Sequence, residues 1–128
     1  MRAYAATDVG RIREVNQDYI FCSMEPVGKL PNLFLVADGM GGHKAGDLAS
    51  RYTVETLTDS IKNSASDNPI TIINDAIVEA NTKLLEKAAE SEQYTGMGTT
   101  LVVCTIIGES MYVANVGDSR LYLYDGRL

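Results

Sequence analysis

At 128 residues and 45% hydrophobic content the chain is long enough for one domain with a real core, and at 22% charged it resembles neither a disordered segment nor a solvating tail. The balance is acidic, 17 Asp and Glu against 11 Lys and Arg, which argues against nucleic acid as the main ligand because a phosphate backbone needs a basic face. No membrane span is expected either: the N-terminus leads into no apolar signal region, and the apolar run at Leu101 to Ile107 is short and broken by Thr105.

Arg2 to Thr7 reads as a first strand that ends at the turn residues Asp8-Val9-Gly10, and the polar stretch Arg11 to Asp18 reads as a loop. Tyr19 to Ser23 and Leu33 to Ala37 read as strands, separated by a connection containing Pro26, Gly28 and Pro31. A glycine-rich turn, Asp38-Gly39-Met40-Gly41-Gly42-His43, follows. Ala45, Leu48, Ala49 and Tyr52 then fall at i, i+3, i+4 and i+7, with Leu57 and Ile61 beyond, so the spacing predicts a helix over 45–63. Asn68-Pro69 is a helix start, a capping side chain followed by Pro in the first turn. Ile73, Ile77, Ala80, Leu84 and Ala88 carry that second helix over 69–91.

The last third returns to strands. Leu101 to Ile107 is apolar without alternation, as expected of a strand covered on both faces. Gly108-Glu109-Ser110 turns into Met111 to Val116, Gly117-Asp118 leads into Arg120 to Tyr124, and Asp125-Gly126 is a hairpin-turn signal. Strands, two helices, strands is not the alternation of a doubly wound parallel sheet, so the expected class is α+β, helices packed on antiparallel sheet. Cys22 and Cys104 lie in different apolar segments with no partner at metal-ligand spacing; both are expected to be buried free thiols, which fits a reducing cytoplasm.

Chemistry concentrates in three places. Asp38-Gly39-Met40-Gly41-Gly42 sits between a strand and a helix, where a dinucleotide fingerprint would stand, but Lys44 occupies the position of the last Gly, and no Gly-Lys-Ser/Thr follows to make a phosphate loop. A carboxylate at the strand end would repel bare pyrophosphate. With a flexible glycine carbonyl beside it, it suits a hard cation, through which an acidic protein can still bind phosphate. Gly10 to Asp18 places Arg13 and Asp18 on a polar stretch, and Asp118 follows an apolar strand and Gly117. Taken singly, Asp38-Gly39 and Gly117-Asp118 read as ordinary turns, and the polar stretch as a solvated loop.

Taken together, Thr7-Asp8-Val9-Gly10, Arg13 to Asp18, Val36 to His43, Gly98-Thr99-Thr100 and Ala114 to Arg120 resemble, in order and spacing, the metal-dependent type 2C Ser/Thr protein phosphatases, in their bacterial branch. The resemblance spans essentially the whole chain. It implies a four-layer α-β-β-α sandwich with antiparallel sheets, of which residues 1–128 would be the N-terminal portion of a single phosphatase catalytic domain. In it Asp38 would bridge two Mn²⁺ or Mg²⁺ ions, the Gly39 carbonyl would bind one of them, and Asp18 would hold metal-bound water. Arg13 would grip the substrate phosphate, and Asp118 would serve a third ion.

Those roles agree with the chemistry of the residues. Two close dications lower the pKa of the water between them, giving a bridging hydroxide that attacks phosphoserine or phosphothreonine, and they stabilise the phosphoryl oxygens. Arg offers a planar fork to two phosphate oxygens. Catalytic duty thus falls on Asp18 and Asp38. Eukaryotic relatives have a His directly after the Asp-Gly pair; Met40 stands there in this chain, and His43, the single histidine, is the candidate general acid or a plain loop residue.

The resemblance implies further metal-binding aspartates in a second half of the domain, which would lie beyond Leu128. The 128 residues alone are therefore expected to be weakly active or inactive, and to self-associate or need the missing half. The implied partners are phosphorylated proteins and a cognate Ser/Thr kinase, without nucleic acid or membrane. The competing reading is a catalytically inactive fragment acting as a scaffold or interaction module.

Overall fold

The computed structural model describes residues 18–41, 45–94 and 96–117. Within them the order is β1 (Asp18–Ser23), β2 (Leu33–Met40), α1 (Ala45–Asn63), α2 (Pro69–Ala88), β3 (Gly98–Ile107) and β4 (Ser110–Val116), with one 3₁₀ turn at Glu92–Tyr94. The strands form a single antiparallel sheet in the order β1-β2-β3-β4. The two helices pack against one face of that sheet and against each other, so the described residues make an α layer on a β layer.

The helices form for the reasons the sequence gives. In α1, Ala49, Val54, Leu57 and Ile61 are buried; in α2, Ile72, Ile73, Ala76 and Ala80 are. All but Ala49 meet Leu33, Leu35 and Ala37 of β2 and Leu101 and Val103 of β3 in one core, and Ala49 packs with Ala45, Leu84 and Met97 in a second cluster. Asn68 caps α2 with its side-chain oxygen, accepting from the backbone N–H groups of Ile70 at 2.9 Å and Thr71 at 3.4 Å. Such a cap contributes about 1 kcal/mol. Gly108 takes φ +62 in the two-residue turn that joins β3 to β4.

Four expectations are corrected. The helix read over 69–91 ends at Ala88, because the apolar repeat stops there and the last N–H bonds close back onto Leu85 and Lys87. Asp18, read as loop, is the first residue of β1, and Asp38-Gly39-Met40, read as a turn, continue β2. The reason is β3, which begins at Gly98 and pairs Asp38 with Thr100, Gly39 with Thr99 and Met40 with Gly98. The fourth concerns Cys22, which is exposed on the sheet's edge strand, whereas Cys104 is buried and its burial pushes the thiol pKa up. Leu101 to Thr105 are all buried, as a strand covered on both faces requires. The strands read at Arg2 to Thr7 and Arg120 to Tyr124 lie outside the described residues.

Asn32, just before β2, fastens the far end of the sheet. It is 6% exposed, and its side chain behaves like a short piece of strand. Its amide donates to the Ile106 carbonyl at 2.8 Å, and its Oδ1 accepts from the Ile106 N–H at 2.8 Å. The Thr105 hydroxyl donates to the Asn32 carbonyl at 2.7 Å.

Candidate functional site

Strand alternation sorts β2 into two faces. Leu33, Leu35, Ala37 and Gly39 are buried towards the helices, which leaves Phe34, Val36, Asp38 and Met40 on the other side. Asp18 of β1 and Thr100 of β3 are the direct neighbours of Asp38 in the antiparallel ladder, so the three side chains form one row across that outer face. Residues directly opposite in such a pair have Cβ atoms roughly 5 Å apart. Two carboxylates at this spacing can both reach one cation, because oxygen ligands sit at about 2.0–2.2 Å from Mg²⁺ or Mn²⁺.

Both aspartates are half-buried, and the Oδ1 atom of Asp18 is shut off from solvent. Charge there is screened less than on an open surface, so like charges repel more strongly and a cation between them is held more strongly. Thr100, to which the sequence reading assigns no catalytic role, donates its hydroxyl to the Asp38 carbonyl at 3.4 Å. It also lies close to the end of β4. Gly117 takes φ +86 at the end of β4, and a Cβ there would lie 2.8 Å from the Thr100 Cγ2. Only glycine lets the chain leave β4 towards Asp118 so close to Thr100.

Of the residues expected to form the site, the described structure brings together Asp18, Asp38 and, in the next position of β2, Gly39. Arg13, His43 and Asp118 lie outside the described residues. Among the described residues no group of three or more His, Cys, Asp or Glu could hold a metal. The donor set in hand is a pair of carboxylates and a neighbouring carbonyl. It is all oxygen, which fits Mg²⁺ or Mn²⁺ in kind, while several ligands short of a full shell.

A four-stranded antiparallel sheet whose central strands β2 and β3 are joined through a helix pair, with Asp18 and Asp38 on the face away from the helices, defines an α+β fold with its candidate site on the sheet's outer surface. The chain belongs to the protein phosphatase 2C family, whose model matches residues 11–127. It is 40% identical over 129 residues to the serine/threonine phosphatase stp of Listeria innocua serovar 6a, an alignment covering 96% of this chain and 50% of that protein. Among solved structures it is similar to the serine/threonine phosphatase Stp1 from Staphylococcus aureus, with a TM-score of 0.80, 33% identity, and coverage of 96% of this chain and 49% of that one. It is also similar to the catalytic domain of the serine/threonine phosphatase PstP in complex with two manganese ions, with a TM-score of 0.72 and 27% identity over 88% of this chain and 46% of that one. The chain thus spans about half the length of the relatives it matches.

Proposed function

We propose that residues 1–128 are the N-terminal portion of a Mn²⁺- or Mg²⁺-dependent catalytic domain that removes phosphate from phosphoserine and phosphothreonine of proteins. The observation that carries this reading is the pairing of Asp18 with Asp38 across β1 and β2, in a member of the protein phosphatase 2C family. The relative PstP, solved with two manganese ions, supports the choice of metal.

Asp38 and the Gly39 carbonyl would hold the metal, which when bound would acidify water and neutralise phosphoryl charge. The Asp18 carboxylate accepts a hydrogen bond from water at the site and fixes its direction. Arg13 binds two oxygens of the substrate phosphate through its guanidinium fork. Asp118 would help to hold a further ion. His43 is the candidate to protonate the departing Ser or Thr oxygen. Thr100 steadies the backbone at Asp38. The substrates are phosphorylated proteins, a cognate Ser/Thr kinase is the natural counterpart, and the working compartment is the cytoplasm. No described helix is long and apolar enough to cross a membrane.

A second reading, an inactive fragment that works as a scaffold, is favoured by the outer face of the sheet. Val36, Met111 and Val113 there are 44%, 41% and 46% exposed. Apolar surface of that kind invites association, with a second copy or with a complementary half of the domain. One assay separates the readings: turnover of a phosphothreonine peptide by the 128-residue chain with Mn²⁺. The phosphatase reading expects weak, Mn²⁺-dependent turnover that D38N removes. Absence of turnover in a folded, associated chain supports the scaffold. Turnover that survives D38N within about tenfold contradicts the role given to Asp38, since loss of a metal ligand would matter far more than that.

A further inference from the structure

On the side of the helix layer away from the sheet lies a groove of about 670 Å³ that the site above does not use. One helical stripe of α1, Tyr52, Glu55, Thr56, Asp59, Ser60 and Asn63, forms one wall. Asp75, Glu79 and Lys83, spaced i, i+4 and i+8, form the other, from α2. Four carboxylates therefore face a single Lys. The Ser60 hydroxyl and Lys83, 3.4 Å away, bond Glu79 and hold its carboxyl below the usual range. Glu55, Asp59 and Asp75 make no ion pair among the described residues. These carboxylates line a length of groove instead of converging, and no metal-holding group exists among the described residues.

A second feature points into the same space. Thr56 is only 8% exposed, and its hydroxyl makes no hydrogen bond among the described residues. Unlike the Thr53 hydroxyl, it is not sealed from solvent, so it opens into the groove that Thr56 lines. A nearly buried hydroxyl without a protein partner is a donor and acceptor ready for a ligand. The stripe from Tyr52 to Asn63 rises roughly 16 Å at 1.5 Å per residue, the reach of about five residues of extended chain.

We propose that this groove docks an extended basic segment, about five residues rich in Arg and Lys, of a partner protein. Glu55, Asp59 and Asp75 pair with its cationic side chains, and Thr56 bonds its backbone. Charge complementarity of this kind sets both partner choice and association rate. The inference does not depend on the phosphatase reading, since no residue of the groove belongs to that site.

The test is fluorescence anisotropy with a fluorescein-labelled pentaarginine peptide at low salt, with melting by circular dichroism to confirm that each variant folds. Three exposed-pair losses predict that E55Q/D59N/D75N binds about tenfold more weakly than wild type. Removing the same charge elsewhere, in E25Q/E92Q/E109Q, should change affinity by less than about twofold. T56V, which keeps the shape of the side chain, should weaken binding about threefold, the worth of one hydrogen bond. Equal weakening in both triple variants would reveal attraction to net charge alone and overturn the proposal. So would a T56V indistinguishable from wild type, or a wild-type chain that fails to bind the peptide at millimolar concentration.

Discussion

Replacing Asn32 with Ala tests how β2 is fastened to β3. The substitution deletes two 2.8 Å hydrogen bonds, one from the Asn32 amide to the Ile106 carbonyl and one from the Ile106 N–H to Oδ1, together with the longer 3.2 Å approach of the Thr105 hydroxyl to Oδ1. It leaves the 2.7 Å bond from the Thr105 hydroxyl to the Asn32 carbonyl, which is backbone. A buried group that loses its partner costs about 1–3 kcal/mol. Ile106 is half-buried, so water recovers part of that, and the sum for two groups is about 2–4 kcal/mol. Urea unfolding followed by circular dichroism should show the midpoint falling with the slope unchanged. Asn32→Asp sharpens the test, because a carboxylate accepts from the Ile106 N–H but faces the Ile106 carbonyl with no proton to donate. Its protonated form restores that donor, so the folded-state pKa of the new carboxyl is raised. The variant should therefore gain stability relative to wild type as pH falls towards about 4, and lose it as pH rises. An N32A within about 0.5 kcal/mol of wild type would refute the reasoning, since that is the range of an ordinary surface substitution.

Gly28→Ala should destabilise by about 2 kcal/mol or more in the same urea assay, since Gly28 holds φ +58 and an added Cβ would lie 2.5 Å from the Ile61 carbonyl oxygen. Thiol labelling of the native chain should modify Cys22 quickly, and Cys104 only after unfolding, because burial both hides the Cys104 thiol and raises its pKa. Asp67 accepts a 2.8 Å hydrogen bond from Lys29, which holds its carboxyl below the usual range, so the pair helps above the unfolded carboxyl pKa and that help fades as pH falls through the lowered folded value. An NMR titration should show the depressed midpoint for Asp67, and K29M should return it to normal.

Periodicity made the helices legible. An apolar residue every three or four positions fixed α1 from Ala45 to Asn63, and the Asn68-Pro69 pair fixed the start of α2. The end of β2 was not legible, because Asp38 and Gly39 carry turn propensity by themselves and become strand through pairing with Thr100 and Thr99, some sixty positions away in the chain, and for Asp38 also with Asp18. Asn32 was invisible for the same reason. Beside Pro31 it looks like loop, and its role appears only when Ile106 is brought to it. Cys22 lies in an apolar segment, but its exposure depends on β1 being the edge of the sheet. The nearness of Asp18 and Asp38 followed from no local pattern, and was expected solely from the family resemblance. Register then set them opposite each other.

Whether Asp18 and Asp38 form one metal site is tested, without requiring turnover, by Mn²⁺ titration followed by NMR. Two half-buried carboxylates facing each other should bind Mn²⁺ weakly in this chain, and the paramagnetic ion broadens whatever lies near it. The amide signals of Asp18, Asp38, Gly39 and Thr100 should broaden first, and D38N should abolish that pattern while the spectrum stays folded. Broadening that begins at Glu55, Asp59 and Asp75, with Asp38 and its neighbours left sharp, would contradict a shared site.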